Sequence, residues 1–161
     1  MGLFRSETVL GIAEETLRFA REAAEDTHPN EFMGLLRAEE AQSLGVDLDG
    51  TIITEILFVP GTSSSPVRAT MNEQQVANDR DAVGSVHSHP NGVVRPSDTD
   101  LSTFGKGSVH IILGAPYGPT DWEAYDRSGE RYSLRVIDVS LPDPAEQFFD
   151  VTQEDIDREL Q

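Results

Sequence analysis

Apolar positions recur along this chain at two different periods. Val9, Ile12, Thr16, Leu17, Ala20 and Ala24 fall three or four residues apart, with Glu14, Glu15, Arg18, Arg21 and Glu22 between them. That spacing predicts an amphipathic helix over about Glu7 to Glu25, with Ser6 as its N-cap. Beyond the His28-Pro29-Asn30 break the pattern shortens to strand length. Glu31 to Arg37 and Ile52 to Val59 read as two strands joined by an acidic, glycine-bearing connection over Ala38 to Gly50. Pro60 to Pro66 is turn chemistry, and Asn72 to Arg80 is polar and long enough for a few helical turns. Ala82 to His89 reads as a strand stopped by Pro90. A helix then begins at Pro96-Ser97 and ends at Gly105 and Gly107. Val109 to Leu113 is an apolar strand, and Trp122 to Asp126 with Arg131 to Val139 suggests an antiparallel pair about Ser128-Gly129.

With 161 residues and no repeat or long linker, these elements make one α/β domain of mixed topology. Its expected extent is 1–140. An acidic C-terminal extension, 141–161, carries Phe148, Phe149, Val151, Ile156 and Leu160 as its apolar points. These would dock it on or beside the domain, or on a second subunit in a homodimer.

Charge narrows the partners. The chain has 12 basic against 29 acidic side chains, a net charge of −17, and Lys106 is its one lysine. Such a surface repels nucleic-acid phosphates and anionic membranes. An acidic excess with so little lysine resembles proteins of salt-loving archaea, in which molar salt screens the self-repulsion over roughly 3 Å. Cysteine is absent, so any metal must be held by nitrogen and oxygen. No apolar run reaches the roughly 18 residues of a membrane span, and a cytoplasmic protein is expected.

The chemistry concentrates in Ser85-Val86-His87-Ser88-His89-Pro90 and Pro96-Ser97-Asp98-Thr99-Asp100. Residues two apart on a strand share a face, so His87 and His89 can address one centre. Asp100 lies about one turn into the following helix, and the loop before it is long enough to fold it back over both histidines. Two imidazoles, a carboxylate and an open position would make a catalytic zinc site. Ordinary readings exist for each piece. Two histidines on a strand can be simple polar residues, and Ser97 with Asp100 three residues on also fits a capping box.

The joint pattern of His-x-His-Pro, six intervening residues and Ser-x-x-Asp resembles the JAMM (MPN+) metalloprotease motif. Pro29-Asn30-Glu31-Phe32-Met33-Gly34 matches the family's upstream Pro-x-Glu-x-x-Gly. The resemblance implies a layered, cytidine-deaminase-like fold with a curved mixed sheet flanked by helices. It implies Zn2+ on His87, His89 and Asp100, and a water whose pKa falls from about 16 toward 7. Glu31, assigned by this resemblance alone, would be the general base, and Ser97 the donor to the oxyanion. Other metal chemistries fit less well. Zinc deaminases need two cysteines, and sites with more histidines would have to use His28, a helix-end or surface residue, or His110, which reads as a satisfied core histidine.

For the substrate, the resemblance implies hydrolysis after the C-terminal diglycine of a ubiquitin-like modifier, releasing it from lysine-linked conjugates. Archaeal desampylase-type members act on small archaeal modifiers. Thr62 to Met71 would be a flap pairing with such a tail by strand addition, or else a solvated turn. Little room lies between Asp100 and Val109 for a further insertion, which favours a broad preference among conjugates. Two other readings stand beside this one: a non-catalytic MPN scaffold, and a RadC-type hydrolase of unknown substrate.

Overall fold

In this computed structural model the described residues are 8–58, 82–104 and 107–141. The expected Ser6 cap, the 60–66 turn, the Thr62–Met71 flap, the Asn72–Arg80 helix, the stop at Gly105 and the tail beyond Leu141 lie outside them.

Strands β1 (Val9–Ala13), β2 (Met33–Glu40), β3 (Thr51–Phe58), β4 (Ala82–His89), β5 (Val109–Gly114), β6 (Trp122–Tyr125) and β7 (Arg135–Ile137) form one sheet in the order β6-β5-β4-β2-β3-β1-β7. The sheet is mixed. β4 and β5 run parallel, β2 is antiparallel to both its neighbours, and β1 is parallel to β3 and β7. Helix α1 (Glu14–Thr27) buries Thr16, Leu17, Ala20 and Ala24 against one face. There they meet Phe32, Leu36, Ile53, Val86, Ile111 and Leu113. The opposite face carries Phe104, Ile112 and Tyr125 beside the short helix α2 (Asp98–Thr103), and Ala41 of a 3-10 turn over Ala41–Leu44 packs with Ala13, Ile52 and Val139. Covered on both sides, β5 is buried at every position, as its unbroken apolar run requires.

Two sequence expectations fail for tertiary reasons. Val9 to Ala13 is strand, so the first helix starts seven residues later than Glu7, with Ala13 as a cap that makes no side-chain hydrogen bond. Sheet pairing on both edges overrides the helical spacing, since β1 pairs with Thr51–Ile53 and with Arg135–Ile137. Gly11 is the local sign of it. A Cβ there would collide with the Arg135 carbonyl, a close approach that glycine alone permits. The second failure is the antiparallel pair of Trp122–Asp126 with Arg131–Val139. Only a single bridge, Tyr125 to Arg131, forms beside β6. Tyr132 donates its hydroxyl to the Val9 carbonyl at 2.5 Å and Leu134 packs on the main core, drawing the chain to the far edge. There it becomes β7, parallel to β1.

β2 begins two residues after Glu31 and runs three past Arg37, because its ladder with β3 continues to Glu40 and Thr51, so the connection to β3 is shorter than Ala38 to Gly50; β4 spans Ala82–His89 as expected. Among the described residues no helix is long and apolar enough to cross a membrane.

Candidate metal centre

The centre forms at the carboxyl end of β4, where the chain leaves for α2 and returns as the parallel strand β5. Crevices at the carboxyl ends of parallel strands are common ligand sites, because the crossover leaves room there. His87 and His89 occupy alternate positions of β4 and share a face; His87 is 3% exposed. Their Nε2 atoms stand 3.1 Å apart. Asp100 faces both, with Oδ1 3.0 Å from His87 Nε2 and Oδ2 3.1 Å from His89 Nε2. Among the described residues this is the group of three whose ligand atoms all lie within 4.8 Å of one another.

The chemistry of the donors fits a metal. His89 Nδ1 lies 2.7 Å from the Val93 carbonyl. A carbonyl only accepts, so in the neutral ring Nδ1 carries the hydrogen and Nε2 turns its lone pair inward, as in metal-ligating histidines. Zinc bonds of roughly 2.0–2.1 Å in a tetrahedron put ligand atoms about 3.3 Å apart, close to the spacing found. Burial alone would lower the His89 imidazole, but its bonds to Asp100 and the Val93 carbonyl outweigh that and leave it raised, with help from the charges of Asp100 and Glu31. Burial alone would likewise raise Asp100. Its bonds to His87 and His89 hold it well below the usual carboxylate range, so it is an anion facing two nitrogens.

Asp100 is fixed by the start of its own helix. Ser97 N–H donates to Asp100 Oδ2 at 2.8 Å and Asp100 N–H donates to Ser97 Oγ at 3.1 Å, which is a complete capping box. The cap and the triad geometry are therefore one arrangement, so the capping reading is compatible with an Asp100 that faces both histidines. The cap uses a lone pair of Ser97 Oγ, and the hydroxyl hydrogen is not consumed by it.

Glu31 lies two residues before Met33, which pairs with His87 across β2 and β4. It is half-buried, just before the strand begins, and its charge acts on His89. Gly34 closes the motif for a steric reason. A Cβ there would sit 2.7 Å from the Ile56 side chain and 3.0 Å from the Leu57 carbonyl, so only glycine keeps β2 tight on β3.

His110 is the satisfied core residue its strand predicted. It is 2% exposed, with Nδ1 2.6 Å from Ser85 Oγ and Nε2 2.9 Å from the Phe104 carbonyl and 3.1 Å from that of Gly107. Burial lowers its pKa to about 4, with the charges of His87 and Arg127 adding to the effect. It also stacks on Phe104, the residue that ends α2, at 4.3 Å between ring centres. It thus anchors the helix that delivers Asp100. His28 caps the C-terminus of α1 and bonds Tyr117 through Nδ1 at 2.8 Å. Ser88 and Tyr117 carried no sequence signal. Ser88, fully buried, sits between the two histidines and so alternates to the opposite face of β4.

A mixed sheet whose parallel strand pair presents His-x-His to a carboxylate on the crossover helix is built to hold a metal ion. Comparison with known proteins agrees. Residues 13–128 match the family of prokaryotic homologs of the JAB domain. A probable metalloprotease of Haloferax volcanii is 62% identical over 160 residues, 99% of each chain. Among solved structures, one described as a JAMM, "a metalloprotease-like zinc site in the proteasome and signalosome", is 32% identical with a TM-score of 0.58, covering 81% of this chain and 100% of that one. A JAB1/MPN domain protein from Archaeoglobus fulgidus is 31% identical with a TM-score of 0.58, covering 80% and 100%. The chain belongs to the JAB/JAMM metalloprotease family. Its cofactor is zinc, and His87, His89 and Asp100 form the triad that can hold it.

Proposed function

We propose that this protein is an isopeptidase that removes ubiquitin-like modifiers from lysine-linked conjugates, hydrolysing the bond after their C-terminal diglycine. The observation that carries the reading is the convergence of His87, His89 and Asp100 to 3.0–3.1 Å, with Ser97 bonded to Asp100 and the charge of Glu31 acting on His89. An intact donor set argues against a non-catalytic scaffold.

His87, His89 and Asp100 would hold zinc, which when bound would supply Lewis acidity and a water made nucleophilic near neutral pH. Glu31 accepts the proton of the attacking water on its carboxylate and returns it to the departing lysine nitrogen. Ser97 Oγ–H donates to the oxyanion on the tetrahedral carbon, a contact of the kind worth roughly 3 kcal/mol. Asp100 would serve as a ligand, its Oδ1 and Oδ2 facing the Nε2 atoms of His87 and His89 and Oδ2 steadied by the Ser97 N–H. A diglycine tail suits the crevice because residues without side chains can pass close to a buried triad. The 62% identity to a haloarchaeal relative and the net charge of −17 support a cytoplasmic enzyme working in concentrated salt.

The test is release of a diglycine-ended modifier from a lysine conjugate, in molar salt, with and without chelator. Chelation is expected to stop release and added zinc to restore it. Glu31→Gln is expected to lower kcat by at least about a hundredfold while one zinc stays bound per chain. Full activity in that variant would overturn the mechanism.

A further inference from the structure

Ser88 stands between the two zinc-triad histidines and points the other way, into the face covered by α1. It is fully buried. Its backbone N–H donates to the Phe32 carbonyl at 2.9 Å, a normal rung between β4 and β2. The return bond is not a normal rung. Phe32 N–H donates to the Ser88 side-chain Oγ, at 2.8 Å, instead of to a main-chain carbonyl. The residue immediately before Phe32 is Glu31, so Ser88 holds the neighbour of the proposed base by both its N–H and its carbonyl, and the Phe32 N–H belongs to the peptide that joins it to Glu31.

Ser88 is itself held. Its hydroxyl interacts with that of Tyr117, and Tyr117 Oη lies 2.8 Å from His28 Nδ1. A single direction of donation satisfies the chain: Phe32 N–H to Ser88 Oγ, Ser88 O–H to Tyr117 Oη, and Tyr117 O–H to His28 Nδ1. Tyr117 is placed there at a cost in backbone conformation, since its φ of 65° is the one positive value among the described non-glycine residues. A non-glycine residue in the left-handed region is uncommon and persists only where its surroundings hold it. Its backbone is fastened too, with N–H to the Gly114 carbonyl at 2.8 Å and the carbonyl to Arg21 at 3.3 Å. Tyr117 is 5% exposed, and burial raises its pKa, with the charge of Glu31 adding to the effect.

We infer that Tyr117, backed by His28, acts through Ser88 as a clamp on the Phe32 peptide and so sets where the Glu31 carboxylate stands beside the triad. Tyr117 and Ser88 are positioning residues: neither reaches the reacting atoms. The inference rests on the reading of Glu31 as the base, but the clamp itself has a separate readout.

Tyr117→Phe removes one oxygen from this chain, and Ser88→Ala removes the acceptor of the Phe32 N–H. In the zinc-loaded full-length protein, hydrogen exchange at Phe32 N–H is expected to accelerate about tenfold in Tyr117→Phe and more in Ser88→Ala, with exchange along β5 unchanged. With the diglycine-ended lysine conjugate as probe, kcat should fall about ten- to a hundredfold, with KM within about twofold and zinc stoichiometry unaltered. The double variant should be no worse than Ser88→Ala, because both act through one bond. Unchanged exchange at Phe32 in Tyr117→Phe overturns the clamp. Faster exchange with an unaltered kcat, or a loss that appears in zinc binding or KM, overturns the positioning role. Wild-type protein inactive on the probe sinks the functional reading instead, and exchange at Phe32 then decides the clamp alone.

Discussion

Ser97 and Asp100 hold each other reciprocally, backbone to side chain, at 2.8 and 3.1 Å. The bond that starts helix α2 is therefore the bond that aims a triad carboxylate. On the proposed oxyanion role a change at Ser97 would touch stability and chemistry together, and two variants separate them.

Ser97→Ala removes the cap acceptor and the hydroxyl hydrogen, and is expected to cost about 1 kcal/mol of stability. It should also lower kcat by roughly a hundred- to a thousandfold. Ser97→Asp retains an acceptor for the Asp100 N–H but has no hydroxyl to donate. Its denaturation midpoint should stay close to that of the wild type while kcat remains low. If Ser97→Asp regained activity, the oxyanion role would be wrong and the cap would be the whole function of Ser97.

Removing one nitrogen ligand tests the triad without a substrate. His89→Ala leaves His87 and Asp100 3.0 Å apart but opens the third corner. Metal analysis after gel filtration should fall from about one zinc per chain to a small fraction. The melting temperature of the wild type should rise with added zinc, by mass action, and that of His89→Ala should not. A variant that retained stoichiometric zinc would show the ligand set to be misassigned.

The buried His110 predicts an acid limb of stability. Its folded pKa, about 4, lies below the unfolded value near 6.5. Between these values the unfolded chain binds the extra proton, so stability rises with pH across that window and is lost as pH falls from about 6.5 toward 4. The full difference amounts to about 3 kcal/mol. Denaturant midpoints of wild type and His110→Asn between pH 4 and 7, in constant salt, should show the wild-type slope flattened in the variant. Parallel slopes would place the titration elsewhere.

Most of the sheet was legible because its strands carry their burial in their own composition. β5 is apolar throughout and buried throughout, and β4 ends where Pro90 forbids a further ladder donor. The site was legible for a similar reason. Two-residue spacing on a strand and three-residue spacing at a helix start are local geometries, and His87, His89, Ser97 and Asp100 obey them. Glu31 was different: nothing local distinguishes it from the other acids, and only the Pro-x-Glu-x-x-Gly frame marked it.

Non-local pairing was decided by the tertiary structure alone. Val9 to Ala13 has helical spacing, yet it is strand because Thr51–Ile53 and Arg135–Ile137 offer it ladders on both edges. The chain after Arg131 has hairpin spacing, yet it leaves β6 because Tyr132 reaches the Val9 carbonyl, 123 residues away in sequence. The clamp from His28 through Tyr117 and Ser88 to Phe32 joins four segments whose neighbourhood no local pattern announces. The sequence by itself determined which groups could bind zinc and move a proton, since that depends on side-chain chemistry and local period. Where those groups stand relative to one another was left to the fold, because hydrogen bonds between distant segments are made only after the chain has closed on itself.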